Sequence, residues 1–360
     1  MTDYRSPLLD WPGAVEAGGA DAGTAWHYGD PLGEQRRAVA GAGLVDGSHR
    51  DVLVVPGPDR LDWLHAICSQ HLSALADGDS TEALVLSPNG HVEQHWQLTE
   101  LGGQVWIDTE PHAADEVLGY LLKMRFLKRV EPAVVTAGFG VLSLLGPKAA
   151  EVLERAGLPV PTTRAVALAG AGFVRPALSA GGPVDLIVER AELPAIADRL
   201  REAGAHPTGS WAAAALRVER RRPRLGADTD HRTLAHEAGW IGSAVHLDKG
   251  CYRGQETVAR VQNLGKPPRR LVLLQLSGDS EQLPSLGSPV ERDGRTVGFV
   301  GTAVQHHELG PIALAIVKRN LSAADVLSVP GHSAVLDPAD AVAELPEGFA
   351  GQAGSTSSSA

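Results

Sequence analysis

Two stretches of the chain share one hydrophobic–polar rhythm. "VLVVPGPDRLDWL" (Val52–Leu64) aligns without gaps on "VLSLLGPKAAEVL" (Val141–Leu153). Each is a run of β-branched and leucine residues, then Gly-Pro, then apolar positions at helical spacing. The pattern predicts a strand, a turn at Gly57 or Gly146, and a helix opened by Pro58 or Pro147. Proline suits the first helical turn, where its missing N–H has no partner to lose.

The rhythm downstream of the two copies also corresponds. After the first, it predicts a helix over Asp59–Leu72, strands near Glu82–Leu86, Glu93–Leu98 and Val105–Asp108, and a helix near Ala113–Met124. After the second, it predicts helices over Lys148–Ala156 and Leu193–Ala203, strands near Gly172–Ala177 and Val184–Glu189, and a strand near Ala213–Glu219. This is an α+β chain of two β-α-β-β-α-β-like, ferredoxin-like halves. Strand–Gly-Pro–helix recurs by chance, but the matching order favours a duplication.

From about Pro267 the pattern shifts to short strands broken by Gly, Pro and Asp-Gly, as in "RRLVLLQLSG" and "GPIALAIVKRN". "ERDGRTVG" signals a hairpin turning at Asp293-Gly294. The expectation is a small antiparallel barrel of five or six strands, reached through the hinge "GKPPRR" (Gly265–Arg270). The layout is thus an N-terminal extension (1–39), two halves (about 40–135 and 136–264), a barrel (267–345) and a Gly/Ser-rich, disordered tail (346–360).

Composition narrows the class. A length of 360 residues fits two or three domains, and 43% hydrophobic residues suffice for full cores. A net charge of −11 argues against general binding to nucleic acid or acidic membranes. Two cysteines make neither a disulfide framework nor a four-thiolate metal cage, which fits a reducing, cytoplasmic setting. The first residues lack a basic region followed by an apolar run, and no apolar run reaches the roughly 18 residues of a membrane span.

The chemistry concentrates in "DKGCYRGQETVAR" (Asp248–Arg260). Gly250 and Gly254 permit tight turns, and "GQETVARVQNL" reads as a helix. Cys251 therefore falls in the loop before a helix N-terminus, with Lys249 and Arg253 nearby. All three features favour a thiolate. A buried, inert cysteine is the alternative; these polar neighbours argue against it. Cys68 lies on the apolar side of a helix with Leu61, Leu64 and Leu72 and reads as core. His91 and His95 share a strand face, as metal ligands do, but a plain polar face explains them better. His306-His307 reads as a solvated loop. No nucleotide-loop glycine spacing is present.

"KGCYRGQE" (Lys249–Glu256) resembles the K-G-C-Y-x-G-Q-E signature of the YgfZ-type folate-binding proteins, relatives of the glycine cleavage T-protein that serve iron–sulfur cluster assembly or repair. Ala42–Leu75 is similar to the T-protein family's N-terminal segment, with its G-L-x-D-x-S-H start. Ala215–Trp240 resembles the stretch leading to its folate site, and Gly298–Asn320 its C-terminal barrel. The likeness spans roughly residues 40–345.

The resemblance implies a two-half, T-protein-like folate-binding domain with a central opening, followed by the barrel. It assigns Glu219, in "LRVE", to the pterin ring, where a carboxylate can accept two parallel hydrogen bonds. A solvated charge beside Arg217 and Arg220–Arg222 is the competing reading. Those arginines could also meet the folate glutamate tail. Tyr252, Arg253, Gln255 and Trp240 complete the expected tetrahydrofolate-binding set; Cys251 and Lys249 form the expected reactive pair, and no resident metal is expected. One departure is evident. In "SPNGHVEQHWQL" (Ser87–Leu98), Gln94 and His95 stand where the transferase carries aspartates, and Glu93 is one residue off. Glutamine cannot take a proton, so aminomethyl transfer is put in doubt. The resemblance thus implies a tetrahydrofolate-binding accessory factor acting on iron–sulfur client enzymes or with assembly factors. The alternatives are a folate-dependent transferase or demethylase, and a folate-binding module without redox chemistry.

Overall fold

The computed structural model describes residues 4–278 and 280–340; the expected tail at 346–360 and the end of the expected barrel domain fall outside them. The two Gly-Pro turns are the same local device. Gly57 and Gly146 have φ of 123° and 104°, and a Cβ on either would sit 2.2 Å from Arg129 O or 2.0 Å from Ala38 O. Only glycine satisfies both constraints.

The N-terminal segment forms a ribbon of β1 (Val15–Glu16) and β2 (Ala25–His27), then helix α1 (Pro31–Ala40). Asp30 caps α1 by accepting from Gly33 N–H at 2.9 Å, and Pro31 opens it. Strand β3 (Gly43–Asp46) follows. The first half then runs β4 (Asp51–Pro56), α2 (Arg60–Ile67), β5 (Ser80–Leu86), β6 (Val92–Leu101), β7 (Gln104–Thr109), α3 (Ala114–Met124) and β8 (Ala133–Val134). Its sheet is ordered β5-β6-β7-β4-β8 and buries Trp63, Leu64, Trp96, Leu98, Val117 and Leu121 against α2 and α3.

The second half comprises β9 (Phe139–Leu145), α4 (Ala149–Arg155), β10 (Val166–Ala167), β11 (Gly172–Arg175), β12 (Val184–Glu189), α5 (Leu193–Glu202), β13 (His206–Thr208) and α6 (Ser210–Glu219). Its sheet is ordered β10-β11-β12-β9-β3-β13, so β3 crosses from the start of the chain into the second half's sheet. The two sheets meet through Val52, Trp106, Val141, Phe173 and Ile187.

Helix α7 (Gln255–Leu264) precedes strands β14 (Arg269–Leu276), β15 (Pro289–Arg292), β16 (Arg295–His306), β17 (Gly310–Lys318), β18 (Leu327–Val329) and β19 (His332–Leu336). These six close into an antiparallel barrel in the order β14-β17-β16-β15-β18-β19. Asp293 and Gly294 turn its β15–β16 hairpin with φ of 52° and 71°.

Two predicted elements are corrected. The expected strand at Ala213–Glu219 is the C-terminal part of α6. Four consecutive alanines there make "WAAAALRVE" a strong helix former, and its apolar positions pack at helical spacing against the barrel and α1. The helix expected over Asp59–Leu72 stops at Ile67, because Cys68 is extended (φ −124°, ψ 174°).

Candidate functional site

Strand β6 alternates strictly. Val92, Gln94, Trp96 and Leu98 are buried, while Glu93, His95 and Gln97 point the other way. Gln94 spends its side-chain oxygen on Trp96 Nε1 at 3.0 Å. His95 and Gln97 instead help wall a cavity of about 450 Å³ between the two halves. On neighbouring β5, Glu82 faces the same space. Arg50, Asp46 and Asp185 line it from the β3 and β9–β12 side, and Arg217, Arg220 and Arg222 from α6 and its exit.

The wall is charged, and its charges are paired with care. Arg175, 1% exposed at its side chain, donates to Asp108 at 2.5 Å and to Asp185 at 2.7 Å, and also to Gln97. Burial pushes the Asp108 carboxyl up, but Arg175 and Arg50 overcome this and hold it below the usual range. Asp21 is likewise pushed up by burial, yet His49 and Arg224 bring it to about 2. Glu82 Oε1 accepts from Arg222. Glu82 Oε2 lies 3.4 Å from His95 Nε2, and both atoms are buried without any hydrogen bond. Burial raises the Glu82 pKa; His95 and Arg222 reverse the effect, leaving a carboxylate ionised below its ordinary value. His95 is backed by the buried Trp240 ring, 5.0 Å between centroids.

The sequence-predicted residues fall in two places, Glu219 against the barrel and the others around the Cys251 loop, and neither is part of this wall. None of Glu219, Trp240, Lys249, Cys251, Tyr252, Arg253 or Gln255 is among its lining residues. Glu219 ends α6 with its side chain 40% exposed and its carboxylate 3.6 Å from His306 Nε2 in the barrel. Trp240 and Tyr252 pack together in an apolar cluster with Leu84, Leu86 and Val258. Lys249 is buried, and its Nζ donates to the carbonyls of His65 and, at 2.6 Å, Cys68. These are the terminal carbonyls of α2, so the cation caps that helix where a positive charge is favourable. It also stands 4.9 Å over the Tyr252 ring. Burial pushes the lysine pKa down.

The rest of the motif is tied down in the same way. Arg253 pairs with Glu93 at 2.8 Å, and Gln255 Nε2 donates to Lys249 O at 3.3 Å. Gly254 and Gly90 let the start of α7 approach the β5–β6 turn: a Cβ on Gly254 would lie 2.6 Å from Ser87 O, and one on Gly90 2.6 Å from Thr257 Cβ. The loop thus has buried anchors on both sides of Cys251, whose thiol is exposed. Cys68 is the opposite case: burial raises its thiol to about 11 against the pull of the Lys249 charge.

Glu82, Arg50, Asp46, Asp185 and Arg222 form the cavity, and sequence reading singled out none of the first four for a site. A signal existed for Glu82: it is the one charge in the otherwise apolar "EALVL". Among the described residues, no group of three His, Cys, Asp or Glu side chains is placed to hold a metal ion, and no helix is long and apolar enough to cross a membrane.

The molecule is thus a protein of two related α/β halves with an ion-paired cavity between them and a barrel attached. The chain belongs to the family described as the GCVT N-terminal domain, whose model matches residues 24–249. It is 28% identical over 306 residues to an aminomethyltransferase of Symbiobacterium thermophilum, covering 76% of this chain and 78% of that one. It is 26% identical over 278 residues to a chloroplastic protein of Arabidopsis thaliana, a transferase by its name only. That match covers 72% of this chain and 61% of the other, so the chain spans less than two thirds of that relative's length. In structure it is similar to the glycine cleavage system aminomethyltransferase T from Bartonella henselae (TM-score 0.81, 20% identity, 91% and 94% of the two chains). That likeness establishes the fold.

Proposed function

We propose that this protein binds a reduced folate in the cavity between its halves and uses the exposed Cys251 thiol in assembling or repairing iron–sulfur clusters on client enzymes. The observation that carries the folate part is the unfinished polar wall: Glu82 Oε2 and His95 Nε2, both buried and both without a partner. These residues fit a heterocycle rich in N–H groups, and Arg220 in the same wall fits a carboxylate. Family membership supports this assignment. When bound, tetrahydrofolate is a carrier of one-carbon units.

The cluster part is supported by the likeness of Lys249–Glu256 to the YgfZ-type signature and by the way that loop is built. Lys249, Tyr252, Arg253 and Gln255 anchor the backbone, and Cys251 is presented to solvent. An iron–sulfur cluster normally takes about four ligands, so one cysteine engages it only as cargo shared with a client, or through a mixed disulfide with a client thiol.

A second reading, one-carbon transfer, is favoured by the Glu82–His95 pair. It places a carboxylate and an imidazole at the wall, although Gln94 turns into the core. Calorimetric titration with tetrahydrofolate tests the shared premise. Saturable one-to-one binding is the expected result, and no binding at millimolar ligand removes both readings. Detectable methylene-tetrahydrofolate formation would favour the transferase.

A further inference from the structure

We propose that Glu82 and His95 together form the recognition edge of the cavity, and that Glu82, in place of Glu219, anchors the folate ring through its N–C–N side. The inference rests on the folate reading above and names the residues that would do the work.

Glu82 is buried to 4% side-chain exposure, yet only one of its two oxygens is satisfied. Arg222 holds Oε1, which fixes the carboxylate plane and keeps it ionised. Oε2 is left beside His95 Nε2 at 3.4 Å, in an arrangement where neither bonds the other. Oε2 is an acceptor whatever the state of the ring beside it, and it has no hydrogen bond. A buried acceptor left without a donor costs desolvation free energy in the free protein. A ligand presenting N–H donors to this edge removes that cost. A 2-amino-4-oxo pyrimidine edge, as in pterins, is such a ligand; a ring with a methyl group in place of the 2-amino group is not.

The support behind the pair is rigid. Glu82 and His95 stand on adjacent, paired strands, in the register Glu82↔Gln97 and Leu84↔His95. Trp240 backs the imidazole. Gln97, next on the same face, is held by Arg175. Glu219 has none of these properties: it is 40% exposed, sits beside His306, and is absent from the cavity wall.

The test is calorimetric titration of the full chain with tetrahydrofolate and with its 2-desamino-2-methyl analogue. Wild type should prefer tetrahydrofolate by at least about 10-fold, because the analogue leaves Glu82 Oε2 unpaired. Glu82→Gln should weaken tetrahydrofolate by about 10- to 100-fold, leave the analogue nearly unchanged, and so erase the preference. His95→Ala should reduce the preference in part, and Glu219→Gln should leave it intact. A thermal melt confirms that each variant is folded, and the wild-type comparison needs no variant at all. Wild type binding both ligands equally, or the preference surviving Glu82→Gln and vanishing in Glu219→Gln, overturns the assignment while leaving folate binding standing. Wild type binding neither ligand removes the folate reading itself.

Discussion

Arg175 of β11 and Asp108 of β7 meet at 2.5 Å in full burial, one from each half of the molecule. The guanidinium also reaches Asp185 and Gln97, so a single side chain ties the two sheets together at the cavity. Removing one partner of a buried pair strands the other charge, at a cost of about 3–5 kcal/mol. Arg175→Met is expected to lower unfolding free energy by that order in urea titration, because buried Asp185 loses its cation and Asp108 keeps only Arg50. Arg175→Lys keeps the charge but loses the planar fork and should fall between wild type and Arg175→Met.

Acid should unfold the protein through these same carboxylates. Asp21 titrates at about 2 in the folded state against an ordinary 3.8, and Asp108, Glu82 and Asp230 are also depressed. A depressed folded-state pKa contributes stability that is fully present above the unfolded value and is lost as pH falls through the folded one. Asp21 alone contributes about 2 kcal/mol in this way. Urea midpoints should fall mildly between about pH 7 and 5, where burial holds His65, His236 and His306 below the ordinary imidazole value and the unfolded chain takes up their protons more readily. They should fall steeply between about pH 4 and 2; a steeper decline between pH 7 and 5 than between pH 4 and 2 would show that the histidines dominate instead.

The two thiols should separate cleanly. Cys251 is exposed, while Cys68 is buried and raised to about 11. A thiol-disulfide reagent at pH 8 is expected to modify one thiol per chain quickly and the second only after denaturation. Cys251→Ser should abolish the fast phase. Two fast thiols would mean that the end of α2 opens readily.

Legibility in the sequence followed the range of the interactions. Apolar runs and Gly-Pro turns marked both halves, since each strand or helix advertises its own buried face. The barrel was visible for the same reason, down to the Asp293-Gly294 hairpin. The segment Ala213–Glu219 reads as a strand because the alanines of Ala212–Ala215 suit either element by hydropathy and only propensity separates them. Cys251 was placed correctly in a loop before a helix. The destination of Lys249 was not readable, because its Nζ ends on carbonyls of α2 that lie 181 and 184 positions away. The cavity was hidden on the same ground: Glu82 meets Arg222 across 140 positions, and only the fold brings them together.

The close packing of α7 on the β5–β6 turn makes its glycines irreplaceable. Gly254 has φ 82°, and an added Cβ would press on Ser87 O. Gly254→Ala should cost about 2 kcal/mol or more, from left-handed strain plus displacement. The same change should raise the rate at which proteases cut near Cys251. Gly250, which has no atom within 4 Å of its virtual Cβ and no positive φ, should tolerate alanine within about 0.5 kcal/mol.

The proposed role for this folate-family protein is work on iron–sulfur clients through Cys251. The most direct measurement is the activity of an iron–sulfur dehydratase in a host lacking the gene, complemented with wild type, Cys251→Ser or Glu82→Gln. Low activity in the deletion strain, recovery with wild type, and failure of Cys251→Ser at equal protein level are the expected results. Full dehydratase activity in the deletion strain, or full rescue by Cys251→Ser, would contradict it.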